Sequence, residues 1–253
     1  MYRATLSVHT ATVAGMILQA TLNGPLTKAD HPAVPVSAEE LARDAEACAK
    51  AGAVEFHIHP RDAAGAERLD AATVDACTRA VRKATRLPVG VTTAAWIEPD
   101  LRGRIDHIRD WREPDYTSVN LSEPGAIDVI KTLLRIGIGV EAGIWSVADA
   151  ELLAASDVAD RVMRLMIEPT GVPADEAIPL VSAIHEVFDR ARLPAPRLQH
   201  GDGEATWLLL EDAVRRGIDT RIGFEDTLHL PDGSLAPDNA ALVRAARALG
   251  AGR

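Results

Sequence analysis

Two short runs concentrate the residues able to do chemistry: His57-Ile58-His59-Pro60-Arg61-Asp62 and Arg221-Ile222-Gly223-Phe224-Glu225-Asp226. Both read as the end of a β-like run, where residues i and i+2 share a face. The two imidazoles then point the same way, with Ile58 turned to the other side. By the same parity Arg221 and Glu225 share a face, and Asp226 leaves the strand at its rim. Two histidines and one carboxylate, with further coordination positions open, form the ligand set of a catalytic zinc site. Related divalent ions accept the same donors. The bland alternatives are two hydrogen-bonded rim histidines and a buried Arg221–Glu225 salt bridge. The salt bridge is compatible with metal binding if Arg221 pairs with Asp226 while Glu225 takes the metal.

For these groups to meet, the elements carrying them must be neighbours. From Met16 onward, β-like runs at 16–22, 53–59, 88–93, 116–121, 138–143, 161–167, 196–200 and 220–225 alternate with amphipathic helical patterns. The helices read as 37–51, 71–85, 100–111, 125–135, 147–155, 174–190, 203–216 and 238–248. Ser37 and Ser146 stand at N-cap positions, and Gly52, Gly137 and Gly217 stand where C-caps are wanted. Eight strand–helix pairs of roughly 30 residues each fit a closed (β/α)8 TIM barrel, an α/β fold, better than an open doubly wound sheet. No Gly-x-Gly-x-x-Gly follows a first strand, which argues against a dinucleotide-binding domain. The reading is one catalytic barrel domain over 16–253, preceded by a loosely ordered N-terminal extension over 1–15 with no periodic pattern. In a closed barrel the second and eighth strands both flank the first, so the two chemical runs converge at its mouth.

The same logic picks out other polar residues at strand ends, because barrel sites are built there. Asn23 follows strand 1, Thr92 lies on strand 3, and Ser118 and Asn120 share a face of strand 4, where they can bind substrate oxygens. Glu141 on strand 5 and His200 on strand 7 are ionisable groups pointing into a barrel, which need partners. Orienting His57 or His59 from behind the ligands would suit either. Trp96 and Trp145, just past strands 3 and 5, are candidates for a pocket wall.

Composition removes other classes. The 253 residues carry 27 Lys+Arg against 37 Asp+Glu, a net charge of −10 with no basic cluster, so neither nucleic acid nor a membrane surface is an expected partner. No apolar run approaches a transmembrane length, and a cytoplasmic location is expected. The 2 cysteines, Cys48 and Cys77, fall in Ala-rich helical stretches, which excludes a disulfide scaffold and leaves no loop-presented thiol nucleophile. Lys28, Lys50, Lys83 and Lys131 are the only lysines, and the last three lie in helical patterns, away from any Schiff-base position.

The run Asn23-Gly24-Pro25-Leu26-Thr27-Lys28, His31-Pro32, Pro35 to Leu41, Ala51-Gly52-Ala53, His57 to Asp62 and Gly65 resembles the β-keto acid cleavage enzymes. So does the C-terminal run Arg221 to Asp226, Gly233 and Asn239 to Val243. The resemblance implies a (β/α)8 barrel with Zn²⁺ held by His57, His59 and Glu225. It implies a retro-Claisen acyl exchange, in which a β-keto acid and acetyl-CoA give acetoacetate and a new acyl-CoA, catalysed by a homo-oligomer (dimer or tetramer). By motif position Asp226 is the base with Arg221 beside it, and Thr92 and Ser118 contact substrate. Members acting on an amino-bearing keto acid carry an acid just after the strand 1 glycine. Here Pro25 and Leu26 follow Gly24, which points to a different substrate side chain. Ala94-Ala95 replaces a Gly-Gly pair after strand 3, and the Gly-rich loop after strand 6 is reduced to Glu168–Pro173. A metal-dependent amidohydrolase or lactonase is the alternative, since His-x-His also opens those sites. They need further histidines on strands 5 and 6, where this chain has Glu141 and Glu168.

Overall fold

Eight short parallel strands, each followed by a helix, close into a barrel in sequence order in the computed structural model, which describes residues 15–253. The strands are β1 (Leu18–Thr21), β2 (Glu55–Ile58), β3 (Val89–Val91), β4 (Tyr116–Asn120), β5 (Gly139–Ile144), β6 (Arg164–Ile167), β7 (Arg197–Gln199) and β8 (Asp219–Ile222). The helices are α1 (Ala38–Ala51), α2 (Ala71–Thr85), α3 (Leu101–Arg109), α4 (Ala126–Ile136), α5 (Val147–Ala154), α6 (Ala174–Ala191), α7 (Thr206–Arg216) and α8 (Asn239–Ala248). Closure is made by β1 pairing with β8, Gln19 opposite Arg221, and with β2, Thr21 opposite His57. The expected (β/α)8 architecture is therefore the observed one. Residues 1–14 of the expected N-terminal extension lie outside the described residues. Met16 N–H donates to the Arg253 carbonyl at 2.9 Å, so the described ends meet.

Local chemistry explains the helix boundaries. Ser37 and Glu40 form a reciprocal capping box on α1, and Ser146 and Asp149 do the same on α5. Gly52, Gly137 and Gly217 cap the C-termini of α1, α4 and α7. All the strands but β5 are shorter than the sequence pattern implies. Apolar residues such as Leu22 and Leu121 stay buried after the ladder ends, so burial outlasts strand pairing.

The apolar core lies between strands and helices, with Phe56, Ile58, Val91, Val119, Ile144, Leu165 and Ile222 fully or nearly fully buried. The lower barrel interior is polar and cross-linked, though Gln19 Oε1, Glu141 Oε2 and Arg164 Nε are buried without a partner. Arg164 donates to Glu55 and Glu141, Gln19 donates to Glu141 and to the Tyr116 hydroxyl, and Tyr116 donates to the Phe56 carbonyl. This layer is a floor, and the pocket opens above it at the strand C-termini.

Candidate active site

At the C-terminal mouth, a cavity of about 210 Å³ is lined by His57, His59, Thr92, Trp96, Ser118, Asn120, Trp145, Glu168, His200, Arg221, Glu225 and Asp226, among others. His57 lies on β2, and His59 follows its last residue, Ile58, into the loop. Glu225 and Asp226 are delivered differently from the parity expected of a strand, because β8 ends at Ile222. The chain turns at Gly223, where a Cβ would stand 1.9 Å from the Thr21 carbonyl, so only glycine permits this approach to β1. Phe224 N–H donates to Asn239 Oδ1 at 2.7 Å, and Asn239 Nδ2 donates to the Leu22 carbonyl at 2.7 Å, which fixes the turn between β1 and α8.

The turn presents Glu225 with its two oxygens in different roles. Oε1 accepts from Arg221 Nη2 at 2.9 Å. Oε2 lies 3.6 Å from His57 Nε2 and 3.7 Å from His59 Nε2, and it is buried with no hydrogen-bond partner. Among the described residues these three form a group able to hold a metal, with ligand atoms within 4.8 Å of one another. Tetrahedral ligation with bonds of ~2.0–2.1 Å separates donor atoms by roughly 3.4 Å, close to the two observed spacings. The orphaned oxygen and the converging nitrogens therefore fit a divalent metal.

Electrostatics agree with that donor set. Burial pushes His57 down to about 3, keeping its imidazole neutral. Burial also acts against a charged His59, but Glu225 and Glu67 outweigh it and lift this imidazole to about 9. The field that draws a proton to His59 also favours a metal cation, which displaces that proton on binding. Glu225 stays ionised well below the usual carboxylate range, because Arg221 and the two histidines overcome its burial.

Asp226 sits beside this cluster. Its Oδ1 accepts from Arg221 Nη2 at 2.8 Å, and its Oδ2 accepts from Thr21 Oγ1 at 2.7 Å. Arg221 thus bridges Glu225 and Asp226, so both salt-bridge readings of the sequence hold at once. Burial raises the Asp226 carboxyl above its ordinary value, and Arg221 offsets this only in part.

The other candidates separate. Thr92, Ser118 and Asn120 all line the cavity, with Asn120 Nδ2 donating to Glu123 at 3.1 Å. Asn23 grips the backbone of His59, donating to its carbonyl and accepting from its N–H, both at 2.9 Å. Glu141 reaches neither metal-site histidine. Its carboxylate bonds Gln19 and Arg164 in the floor, since parity chose its face but not its depth. His200 also misses the histidine pair: its Nε2 is 3.0 Å from Glu168, and its Nδ1 is 3.5 Å from Asp226. Three contributors were not anticipated in these roles. Thr21 bonds Asp226, Glu67 bonds His59, and Trp145 donates to Glu168 at 2.7 Å. A carboxylate in the loop that follows a His-x-His run was the available signal for Glu67.

A closed parallel barrel with a candidate N₂O donor set and an arginine-clamped aspartate at its mouth defines a (β/α)8-barrel protein with a possible metal site. The chain belongs to the β-keto acid cleavage enzyme family, whose model matches residues 15–166 and 169–252. It is 26% identical over 245 residues to the 3-keto-5-aminohexanoate cleavage enzyme of Fusobacterium nucleatum, covering 90% of this chain and 88% of that protein. Among solved structures, the ternary complex of ObcA with a C4-CoA adduct and oxalate superposes with TM-score 0.68 at 17% identity. That match covers 86% of this chain, which spans only 63% of the ObcA chain. The N-acetylmannosamine-6-phosphate 2-epimerase of Clostridium perfringens shares the fold with TM-score 0.60 and 14% identity, over 90% of this chain and 94% of that one. Among the described residues, no helix is long and apolar enough to cross a membrane.

Proposed function

We propose that this enzyme cleaves β-keto acids by zinc-dependent retro-Claisen exchange with acetyl-CoA, releasing acetoacetate and a new acyl-CoA. The observation that carries the reading is the bridge made by Arg221 between Glu225, which faces His57 and His59, and Asp226, which faces the cavity. Held by His57, His59 and Glu225, a divalent metal supplies Lewis-acid polarisation of a carbonyl oxygen and stabilises negative charge on it.

The chain's own residues do the rest. Arg221 Nη1 has only a 3.8 Å contact with Met166 Sδ, so the guanidinium keeps this donor for a substrate carboxylate. Asp226 takes the proton from the α-carbon, and its raised pKa lets it hold that proton at an oxygen already oriented by Thr21 and Arg221. The resulting carbanion attacks the acetyl thioester carbonyl and expels CoA thiolate. The thiolate attacks the original β-keto carbonyl, whose carbon–carbon bond breaks to release acetoacetate and the new thioester. Asp226 returns its proton to the departing acetoacetate carbanion. Because CoA is the transient nucleophile, no enzyme thiol is required, and Cys48 and Cys77 stay buried on α1 and α2.

The carboxylates Glu168 and Asp202 and the indoles of Trp96 and Trp145 also line the cavity, whereas Pro25 and Leu26, directly after Gly24, are not acidic. The amino substrate of the Fusobacterium relative is therefore not assigned to this chain. Incubation of the zinc-loaded enzyme with acetyl-CoA and a panel of neutral, cationic and anionic β-keto acids is expected to yield acetoacetate with at least one. Failure with all of them contradicts the proposal.

A further inference from the structure

Of the two histidines facing Glu225, only His59 is held from behind. His57 Nδ1 is buried without a hydrogen-bond partner, whereas His59 Nδ1 lies 2.5 Å from Glu67 Oε1. The second Glu67 oxygen accepts from Trp96 Nε1 at 3.2 Å. The Trp96 ring stacks on His59 with centroids 6.2 Å apart and planes inclined by 22°. Asn23 fixes the backbone of His59 on both sides, as described above.

Glu67 is itself pinned. Its residue pairs with Arg61 in an antiparallel bridge across the loop that follows β2. Arg61 in turn donates to the carbonyls of Gly65, Gly24 and Leu26 at 2.9, 2.8 and 2.8 Å. The carboxylate is thus delivered to His59 by a loop anchored to the segment after β1, and Trp96, half exposed at the rim, holds its outer oxygen.

We propose that Glu67 is a positioning residue for the metal site. It accepts the Nδ1 proton of His59, which leaves the Nε2 lone pair aimed at Glu225, and it places a negative charge behind that ligand. Such carboxylate–histidine pairs orient the ring and strengthen it as a donor, and their loss weakens metal binding by about 10–100-fold. The inference rests on His57, His59 and Glu225 being the ligands.

The test is a zinc titration of the purified, metal-stripped protein against a chromogenic chelator, with metal-free melting temperatures measured alongside. Glu67→Ala is expected to bind zinc about 10–100-fold more weakly while still folding cooperatively without metal. Glu67→Gln, whose amide oxygen still accepts from Nδ1, is expected to recover most of that loss. Should the alanine variant fail to fold, Glu67→Met fills the volume without an acceptor and replaces it in the comparison. Equal losses in the Gln variant and the acceptor-free variant, or a loss below about threefold in both, overturn the positioning role. His57→Ala separates the two levels of the argument. If it loses zinc while the Glu67 variants do not, only the present inference falls; if it binds zinc as tightly as the parent, the metal assignment falls and takes this inference with it.

Discussion

Arg221 Nη2 donates to Glu225 Oε1 at 2.9 Å, and this contact turns the other oxygen of the same carboxylate toward the two histidines. One guanidinium nitrogen therefore orients the proposed metal ligand Glu225 and, through its 2.8 Å contact with Asp226, the proposed base. The division of labour within Glu225 leads to the first prediction. Glu225→Gln keeps an amide oxygen for Arg221 but removes the anionic donor, so zinc affinity is expected to fall by more than about 100-fold, beyond the loss caused by removing a partner behind a ligand. Chelator competition on the folded variant measures it.

Asp226→Asn separates the base from the metal site. The amide still bonds Thr21 and Arg221 but cannot take a proton, so kcat is expected to drop by about 10²–10⁴ while zinc affinity stays near that of the parent. Normal turnover in this variant would remove Asp226 from the mechanism.

Thr21 offers a finer probe, because its hydroxyl touches Asp226 Oδ2 and no substrate-facing role is assigned to it. Thr21→Val removes a hydrogen bond to a charged group, worth about 1.5–3 kcal/mol. Steady-state kinetics are expected to show kcat lowered roughly 10-fold or more, with KM for the keto acid little changed.

Asn239 tests the scaffold of the turn. Its fully buried side chain satisfies the Phe224 N–H and the Leu22 carbonyl and donates to Asp44. Asn239→Ala strands these groups, and each buried unsatisfied group costs about 1–3 kcal/mol. Denaturant unfolding is expected to show a loss of about 2–5 kcal/mol, placing the variant among severely destabilised ones.

Asp44 predicts a pH dependence of stability. Burial, reinforced by Asp238 and opposed by Asn239, raises its carboxyl from 3.8 to about 7. A raised folded pKa means that the protonated carboxyl contributes stability present below the unfolded value and lost as pH rises through the folded value. Asp44→Asn is neutral throughout, so its melting temperature is expected to gain on that of the parent between pH 5 and pH 8, by on the order of 5 °C. A constant difference across that range would contradict the assignment.

The barrel was legible because the alternation of strand-like and helix-like runs survives in each of the eight units and because capping residues mark the helices. The predicted helix over 71–85 is α2 as observed, and the expected helix over 203–216 differs only in opening with a 3-10 turn at Gly203–Ala205. The candidate metal trio was legible as two runs at the ends of strands flanking β1. Glu225 reached the expected side by a turn rather than by strand parity, since β8 stops at Ile222. Parity also says which face a residue takes and nothing of its height, and that is why Glu141 belongs to the floor and His200 to the Asp226 side. Contacts made across loops, such as Glu67 to His59, carry no periodic signature and had to be seen in space.

The proposed reaction is an exchange in which the acetyl group of acetyl-CoA ends in acetoacetate. The most direct measurement supplies acetyl-CoA labelled with carbon-13 in its acetyl group, together with zinc and an unlabelled β-keto acid, and locates the label by NMR. Labelled acetoacetate is expected, with the isotope at its keto and methyl carbons, in equal amount to an unlabelled acyl-CoA. Cleavage that yields unlabelled products while the label stays in acetyl-CoA or appears as acetate would contradict it.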